Sequence, residues 1–136
     1  MATMKVWGKA SEASGASAMV ATRPHGLPVP LEIADSPRAR RRGLLGRTGV
    51  RGALLLTPAH GVHTLGMRFA LDVAYLDREW RVLSVRTMRP GRLGLPRWRA
   101  RHVIEAEAGA MARWGVRRGA RIVVEGAADG PGRGGE

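Results

Sequence analysis

The sequence predicts an α+β domain that is mainly antiparallel β, a small barrel-like sheet with two short helices. Short runs of alternating apolar and polar residues recur along the chain and are separated by Gly and Pro, which is typical of strands joined by turns. Only two stretches carry helix start and stop signals, and strands and helices do not alternate regularly, which argues against a parallel α/β fold. A sheet of about six strands can protect its edges by closing fully or partly into a barrel.

The length of 136 residues is enough for a single domain. Residues 1–27 are small and polar and show no sustained apolar period, which predicts a flexible N-terminal arm. The Gly-rich residues 126–136 predict a disordered tail. One folded domain is therefore expected over residues 28–125.

The first predicted elements are a strand and a helix. Apolar residues alternate with polar ones over residues 29–33, and Pro30 favours an edge position because it cannot donate a backbone hydrogen bond. Asp35 or Ser36 can then cap a helix that continues until Gly46. The remaining predicted elements follow in chain order: strands at 53–56, 73–76 and 81–88, an exposed loop at 89–101, a strand at 102–108, a short helix at 109–116 and a last strand at 122–124.

The composition limits the classes of function. The net charge is +12, from 23 basic and 11 acidic residues, which favours an anionic ligand or a polyanion as partner. The basic residues are almost all Arg, alongside abundant Gly and Ala, which coding bias also produces, so a specific nucleic-acid function is not favoured. The absence of Cys excludes disulfides and thiolate metal sites. No apolar run is long enough for a membrane span, and the expected localisation is cytoplasmic.

Polar side chains interrupt the apolar run 62–77, and this is where we place the candidate ligand site. A histidine ring nitrogen, a hydroxyl and nearby cationic groups could bind an anionic small molecule or polymer at the mouth of the sheet. The candidate ligand-binding residues are Arg47, His63, Thr64, Arg68 and Asp72. No cofactor is predicted.

A structural role for three of the polar residues competes with this interpretation. Asp72 precedes a predicted strand, where a carboxylate commonly accepts hydrogen bonds from backbone N–H groups or from an arginine. Glu105 shares a strand face with Val103, so it is expected to be partly buried and paired, most simply with an arginine. If Arg47, Asp72 and Glu105 converge, they form a network that specifies the fold.

Three further interpretations were weighed. His60 and His63 are three residues apart, but an extended segment points them to opposite faces, so no metal site is predicted. A hydrolase-like enzyme would use His63 as general base and Asp72 to orient it. An interaction protein would instead dock through the basic loop 89–101, where Trp98 either offers a stacking face or, as we favour, folds back over the apolar core.

The order of four motifs resembles the domain of unknown function 192 family of small bacterial and archaeal proteins. The motifs are GLLGR at 43–47, GALLL at 52–56, HTLGMRFALDVAYLD at 63–77 and VIEAEAGAMARWGVRRGARI at 103–122. The positions that match the family pattern are Gly43, Leu44, Arg47, Leu71, Asp72, Glu105, Ala108 and Gly109. Many members have Trp-Met, then Thr and Pro, before the Leu-Asp pair, where this chain has His63, Thr64, Met67 and Ala70. The resemblance implies a compact, mainly β fold and no established biochemistry.

Overall fold

The computed structural model describes residues 2–7, 24–94 and 96–125. Within these ranges the chain forms seven strands and two short helices. The elements are β1 (Ala2–Trp7), β2 (Pro24–Ala34), α1 (Pro37–Arg42), β3 (Ala53–Leu56), β4 (Leu71–Leu76), β5 (Val82–Met88), β6 (His102–Glu107), α2 (Ala110–Trp114) and β7 (Arg121–Glu125). The predicted tail 126–136 lies outside the described residues, and so does the stretch 8–23 of the predicted arm.

All seven strands belong to one sheet in the order β5-β4-β6-β3-β2-β1-β7. Every pair of neighbours is antiparallel except β2 and β3. The sheet curls until its two edge strands meet at a bridge between Arg81 and Arg121, where the amide of Val82 donates to the carbonyl of Ala120 at 2.8 Å. This half-barrel with two short helices confirms the predicted α+β class.

The first strand corrects the prediction of a flexible arm over residues 1–27. Residues 2–7 form β1, which lies between β2 and β7 and pairs with both. Ala2, Met4 and Val6 are buried, whereas Thr3 and Lys5 on the opposite face are partly exposed. The prediction treated residues 1–27 as one stretch because small and polar residues dominate it, and the short alternation at its start was not separated from the rest. The hydrogen bonds that hold this strand come from β2 and β7, which begin at Pro24 and Arg121.

Two local details also differ from the prediction. Pro30 is not on an edge strand, because β2 has neighbours on both sides; the parallel ladder with β3 begins one residue later, at Leu31, so no hydrogen bond to β3 is lost at Pro30. The helix α1 is capped by the Ser36 hydroxyl, which accepts from the amide of Ala39 at 3.0 Å, and it ends at Gly43 rather than at Gly46. Gly43 has φ 48° and ψ −127°, a conformation open to glycine and disfavoured for other residues.

The sheet has two covered faces. The inner face lies inside the half-barrel and packs against α2, with Met4, Leu55, Ile104, Met111 and Ile122 among its buried side chains. The outer face is covered by α1 and the long connections, with Leu44, Leu56, Met67, Val73 and Tyr75 among its buried side chains. Because side chains alternate across each strand, neighbouring residues of β4 and β6 serve different faces.

Candidate functional site

Two long connections cover the outer face and are joined to each other. Residues 57–70 link β3 to β4, and residues 89–101 link β5 to β6. His63 and Leu93 form an antiparallel bridge between them. A concave site lies on each side of this bridge.

Thr64 fixes the bridge from within. Its side chain is fully buried, and its hydroxyl donates to the carbonyl of Arg89 at 2.6 Å and accepts from the amide of Arg92 at 2.8 Å. The backbone carbonyl of Thr64 also accepts from the amide of Gly91 at 2.7 Å. Thr64, a predicted ligand-binding residue, is therefore placed where it holds the backbone of the arginine-bearing loop.

The larger concave site, which we call the arginine cleft, has a volume of about 530 Å³. Arg86 reaches it from the outer face of β5, and Arg89, Arg92 and Arg97 come from the loop 89–101. The other lining residues are Tyr75, Thr87, Met88, Leu93 and Gly94. Four arginines and no acidic residue among the described lining create a positive potential that attracts anions.

Tyr75 and Arg97 form the packed floor of the arginine cleft. The guanidinium carbon of Arg97 lies 4.9 Å from the centre of the Tyr75 ring, a cation–π contact. Burial raises the pKa of the Tyr75 phenol, while the charge of Arg97 acts in the opposite direction. The Nε atom of Arg97 is buried without a hydrogen-bond partner among the described residues. Stacking therefore sets the orientation of this guanidinium and leaves it with unused hydrogen-bonding capacity.

Gly94 allows the loop to approach the floor of the cleft closely. A Cβ atom at this position would lie 2.8 Å from the Tyr75 hydroxyl and 3.0 Å from the carbonyl oxygen of Val62. The amide of Gly94 donates to that same carbonyl at 2.8 Å. A residue with a side chain would therefore push the loop away from Tyr75 and separate the two connections.

The second concave site, which we call the Glu105 pocket, has a volume of about 430 Å³ and lies between α1 and the 57–70 connection. Its buried lining includes Glu105, Leu44, Leu56 and Met67. Its exposed or half-buried lining includes Arg40, Arg41, Arg42, His60 and His63. The carboxyl group of Glu105 therefore lies at the base of the pocket and the basic residues lie at its rim.

Glu105 is unusual among the acidic residues. It is 3% exposed, and its Oε1 atom has no hydrogen-bond partner among the described residues. Burial raises the pKa of the Glu105 carboxyl from 4.5 to about 7, because removal from water penalises the charged form. The carboxyl group can therefore exist in either protonation state near neutral pH.

This shift makes the free energy of unfolding depend on pH. The folded protein keeps a proton on Glu105 up to about pH 7, whereas the unfolded chain releases it near pH 4.5. The contribution of this proton to the free energy of unfolding is therefore fully present below pH 4.5 and is lost as the pH rises through about 7. The change from 4.5 to about 7 corresponds to roughly 3 kcal/mol. In urea unfolding, the wild-type protein should lose this stability relative to Glu105→Gln between about pH 5 and pH 8. A constant difference between the two proteins over that range would contradict the burial of an unpaired carboxyl group.

Asp72 lies on the inner face and lines neither concave site, although its hydrogen-bond partner Thr87 is part of the lining of the arginine cleft. It is 3% exposed; its Oδ1 accepts from the Thr87 hydroxyl at 2.7 Å, and its Oδ2 accepts from the amides of Gly109 and Met111 at 2.9 and 3.1 Å. The residue that starts α2 is Gly109, which has no side chain with which to cap the helix. Asp72 caps it from β4 instead, which agrees with the structural interpretation of this carboxylate.

The proposed network of Arg47, Asp72 and Glu105 is not formed. Arg47 instead makes a two-pronged ion pair with Glu32, with N–O distances of 2.6 and 3.2 Å, and the pair is largely exposed. This pairing lowers the pKa of Glu32. The arginine expected beside Glu105 is absent among the described residues. Arg68 is exposed and makes no side-chain hydrogen bond or ion pair with the described part of the chain.

The structure does not join His63 to Asp72 as a hydrolase pair would require. His63 is exposed at the rim of the Glu105 pocket, whereas the oxygens of Asp72 are occupied on the inner face. The other histidine of the H-x-x-H pair, His60, has its Nδ1 atom 2.8 Å from the carbonyl of Ala100, so that nitrogen is the donor. Over residues 2–7, 24–94 and 96–125, no group of three or more His, Asp or Glu could hold a metal ion.

Trp98 corrects one further expectation. Its side chain is 87% exposed between Arg97 and Arg99, so it does not fold back over the apolar core. The loop that carries it is fixed at Arg97, whose amide donates to the carbonyl of His60 at 2.9 Å, and at Ala100, which is fully buried. Ala100 belongs to the buried cluster of the outer face, whereas Trp98 does not.

The sequence did not single out Arg86, Arg97 and Tyr75 as site residues, nor Glu105 as the base of a pocket. A signal was available for the arginines, because no acidic residue occurs between Glu79 and Glu105. That signal does not distinguish a cleft from a solvated surface, since it depends on which strand face and loop each arginine occupies.

The fold and these clefts define a half-barrel α+β module whose described residues form concave sites on both sides of the His63–Leu93 bridge. The chain matches the model of the DUF192 family, described as "Uncharacterized ACR", over residues 19–124. The chain belongs to this family, which confirms the resemblance seen in its motifs.

Relatives and solved structures agree with this membership. The UPF0127 proteins PH1112 of Pyrococcus horikoshii and PYRAB11210 of Pyrococcus abyssi are each 32% identical over 84 residues, which is 58% of this chain and 73% and 72% of theirs. A protein of unknown function from Novosphingobium aromaticivorans has a TM-score of 0.70 at 18% identity, over 89% of this chain and 83% of its own. A protein from Sinorhizobium meliloti 1021 has a TM-score of 0.70 at 19% identity, over 91% and 94%. These structural likenesses establish a shared fold. No helix in the described parts of the chain has the length and apolar character to cross a membrane.

Proposed function

We propose that the protein is a binding module for an anionic small molecule that carries a phosphate or a carboxylate, and that the arginine cleft is its binding site. The observation that carries the proposal is the meeting of four arginines, with no described acidic neighbour in the lining, around a cleft of about 530 Å³. Guanidinium groups bind phosphate and carboxylate oxygens through paired hydrogen bonds. The volume falls in the ordinary range for small-molecule sites.

The packing of the cleft supports a preorganised site. Arg97 is held against Tyr75, and Thr64 ties down the backbone at Arg89 and Arg92. Arginine side chains lose conformational entropy when they bind, so a loop that is already fixed lowers the cost of binding. The predicted anionic ligand is therefore retained, and its proposed site moves from the 62–77 segment to the opposite side of the His63–Leu93 bridge.

The first test is calorimetric titration with inorganic pyrophosphate and with adenosine monophosphate at about 50 and about 300 mM salt. Arg86→Ala and Arg97→Ala should each raise the dissociation constant at least about tenfold at the higher salt, because each removes a charged hydrogen-bond donor. The matched control is Arg118→Ala, which removes the same charge from an exposed position outside the cleft and should change the constant less than about twofold at that salt. Equal losses in all three variants would leave only net charge as the cause.

Docking of a polymer through the basic loop is the second candidate, and the exposed Trp98 favours it. A tryptophan between two arginines can stack on the bases of a single-stranded oligonucleotide. Trp98→Ala should then weaken oligonucleotide binding more than Arg99→Ala does, while pyrophosphate binding stays unchanged. Tight binding of pyrophosphate together with oligonucleotide binding that disappears at high salt would favour the small-molecule site.

A further inference from the structure

We infer that the Glu105 pocket is a second binding site, which takes a small organic acid bearing an amino or hydroxyl group at the end opposite its anionic group. The Glu105 pocket and the arginine cleft have no lining residue in common. The inference therefore stands or falls independently of the proposed function.

The base of the pocket lacks a hydrogen-bond donor for its carboxyl group. The side chain of Glu105 lines the pocket and is only 3% exposed. Its Oε1 atom has no hydrogen-bond partner among the described residues. A buried polar atom without a partner is costly, and natural proteins rarely keep one without a reason. A ligand that brings an N–H or O–H group to the base would satisfy this oxygen.

Gly43 keeps the approach to the carboxyl group open. It ends α1 with φ 48°, and a Cβ atom there would lie 3.6 Å from Oε1 of Glu105. Any other residue would be strained in this conformation, and its Cβ would be in van der Waals contact with the carboxyl oxygen. The turn that stops the helix thus also leaves room above Glu105 for a ligand atom.

The rim of the pocket has the opposite character. Arg41 and Arg42 are exposed and form no side-chain hydrogen bond or ion pair within the described chain. Arg40 is already engaged, because its guanidinium donates to the carbonyls of Asp35 and Thr57 at 2.9 and 3.2 Å. The two unengaged guanidinium groups suit a carboxylate or phosphate at the mouth of the pocket.

The carboxyl group at the base makes no ion pair with the described basic residues of the rim. The ionisable groups that face Glu105 from the elements around it are Arg40, Arg41 and Arg42 of α1, His60 and His63 of the 57–70 connection, and Tyr75 and Arg86 along the sheet. Burial is the cause of the raised pKa of Glu105, and no hydrogen bond or ion pair among the described residues joins Oε1 of its carboxyl group to any of them. A ligand that reaches the base and the rim at once must therefore carry its donor and its anionic group at a distance from each other.

The walls between base and rim are apolar. Leu44, Leu45, Leu56, Val62 and Met67 line them. A short aliphatic segment between the two polar ends of the ligand would bury its CH₂ groups against these side chains. The volume of about 430 Å³ accommodates a molecule of this size.

The experiment is titration of the full-length protein with two homologous series, ω-amino carboxylates from glycine to 6-aminohexanoate and the matching ω-hydroxy carboxylates. We expect one chain length to bind best. If that probe carries an ammonium group, Glu105→Gln should weaken it at least about tenfold at pH 8, because the neutral amide cannot form an ion pair. If it carries a hydroxyl group, Glu105→Leu should weaken it by about the same factor, because leucine has no acceptor. The amino probe should bind more tightly as the pH rises through about 7, whereas the hydroxy probe should not. Whichever series binds more tightly identifies the donor group.

Glu107→Gln is the matched control, because it makes the same change on the same strand at an exposed residue that pairs with Arg113. It should leave the dissociation constant within about twofold. Gly43→Ala provides a second variant, expected to weaken every probe by covering the carboxyl oxygen. Absence of binding by the wild-type protein at millimolar probe would overturn the inference. So would equal binding of the best probe by the wild type and by the Glu105 variant matched to it, Glu105→Gln for an amino probe and Glu105→Leu for a hydroxy probe. The arginine cleft variant Arg97→Ala should leave these titrations unchanged.

Discussion

Deletion of residues 1–7 is expected to abolish cooperative folding of the protein. These residues contain β1, which separates β2 from β7 in the sheet. Without β1, the backbone groups of β2 and β7 that pair with it lose their hydrogen-bond partners. β7 would then have no neighbouring strand to pair with along its length in the sheet. The deletion also removes Met4 and Val6, which are 0% and 1% exposed, from the inner face. The measurement is thermal unfolding followed by circular dichroism and tryptophan fluorescence.

A milder variant keeps this prediction testable if the deletion yields no soluble protein. Met4→Ala should cost about 2 to 5 kcal/mol of unfolding free energy, the usual range for a large side chain removed from a core. Lys5→Ala is the control on the same strand, because Lys5 points to the other face and its ion pair with Glu125, at 3.3 Å, is substantially exposed. It should cost less than about 1 kcal/mol. A flexible arm would instead predict an unchanged melting temperature for the deletion.

Replacement of Asp72 by alanine is the point substitution with the largest expected effect, a loss of about 3 to 5 kcal/mol in unfolding free energy. The change strands three donors at once: the hydroxyl of Thr87 and the amides of Gly109 and Met111. It also removes the cap of α2, which has no capping side chain of its own. Urea unfolding at neutral pH measures the loss.

Two further variants separate this explanation from a general effect of removing a carboxylate. Asp77→Ala removes an aspartate whose Oδ1 also accepts two backbone amides, from Glu79 and Arg81, but in a surface turn, so we expect a cost of about 1 kcal/mol. Asp72→Asn keeps an acceptor of the same shape and should fall between wild type and Asp72→Ala. A cost for Asp72→Ala no greater than that for Asp77→Ala would contradict the capping role.

Much of the fold could be predicted because the signals are local. The hairpin of β4 and β5 follows from an apolar run and an alternating run joined by a short turn, and the Ser36 cap and the strand β3 follow from residues adjacent in the chain. β1 was missed because a strand between two partners is stabilised mainly by what lies on either side. Neither partner is next to it in sequence, since β2 begins at Pro24 and β7 at Arg121.

The candidate site was less predictable for the same reason. Asp72 and Glu105 were both recognised as polar residues that need partners. Asp72 accepts from backbone amides, one of the two kinds of partner named for it, whereas the arginine expected beside Glu105 is absent among the described residues. The carboxylate of Asp72 meets residues 109 and 111 only because α2 folds back across the inner face, and Arg47 is taken by Glu32 at the surface. The alternation of β6 placed Glu105 on the same face as Val103, as predicted, but it could not reveal that α1 turns at Gly43 and leaves a cavity above the carboxyl group.

The sequence by itself determined the α+β class, the two short helices, most strand positions, the excess of positive charge and the family of this protein. These properties depend on periodicity, capping residues, composition and the order of motifs. All of these can be read from the linear sequence without knowledge of tertiary contacts. Only the tertiary structure decided which arginines gather around Tyr75, that Thr64 holds their loop, that Trp98 is exposed and that Glu105 lies unpaired in a pocket. Those outcomes depend on contacts between residues far apart in sequence, whose free energies are set by burial and geometry once the sheet has curled.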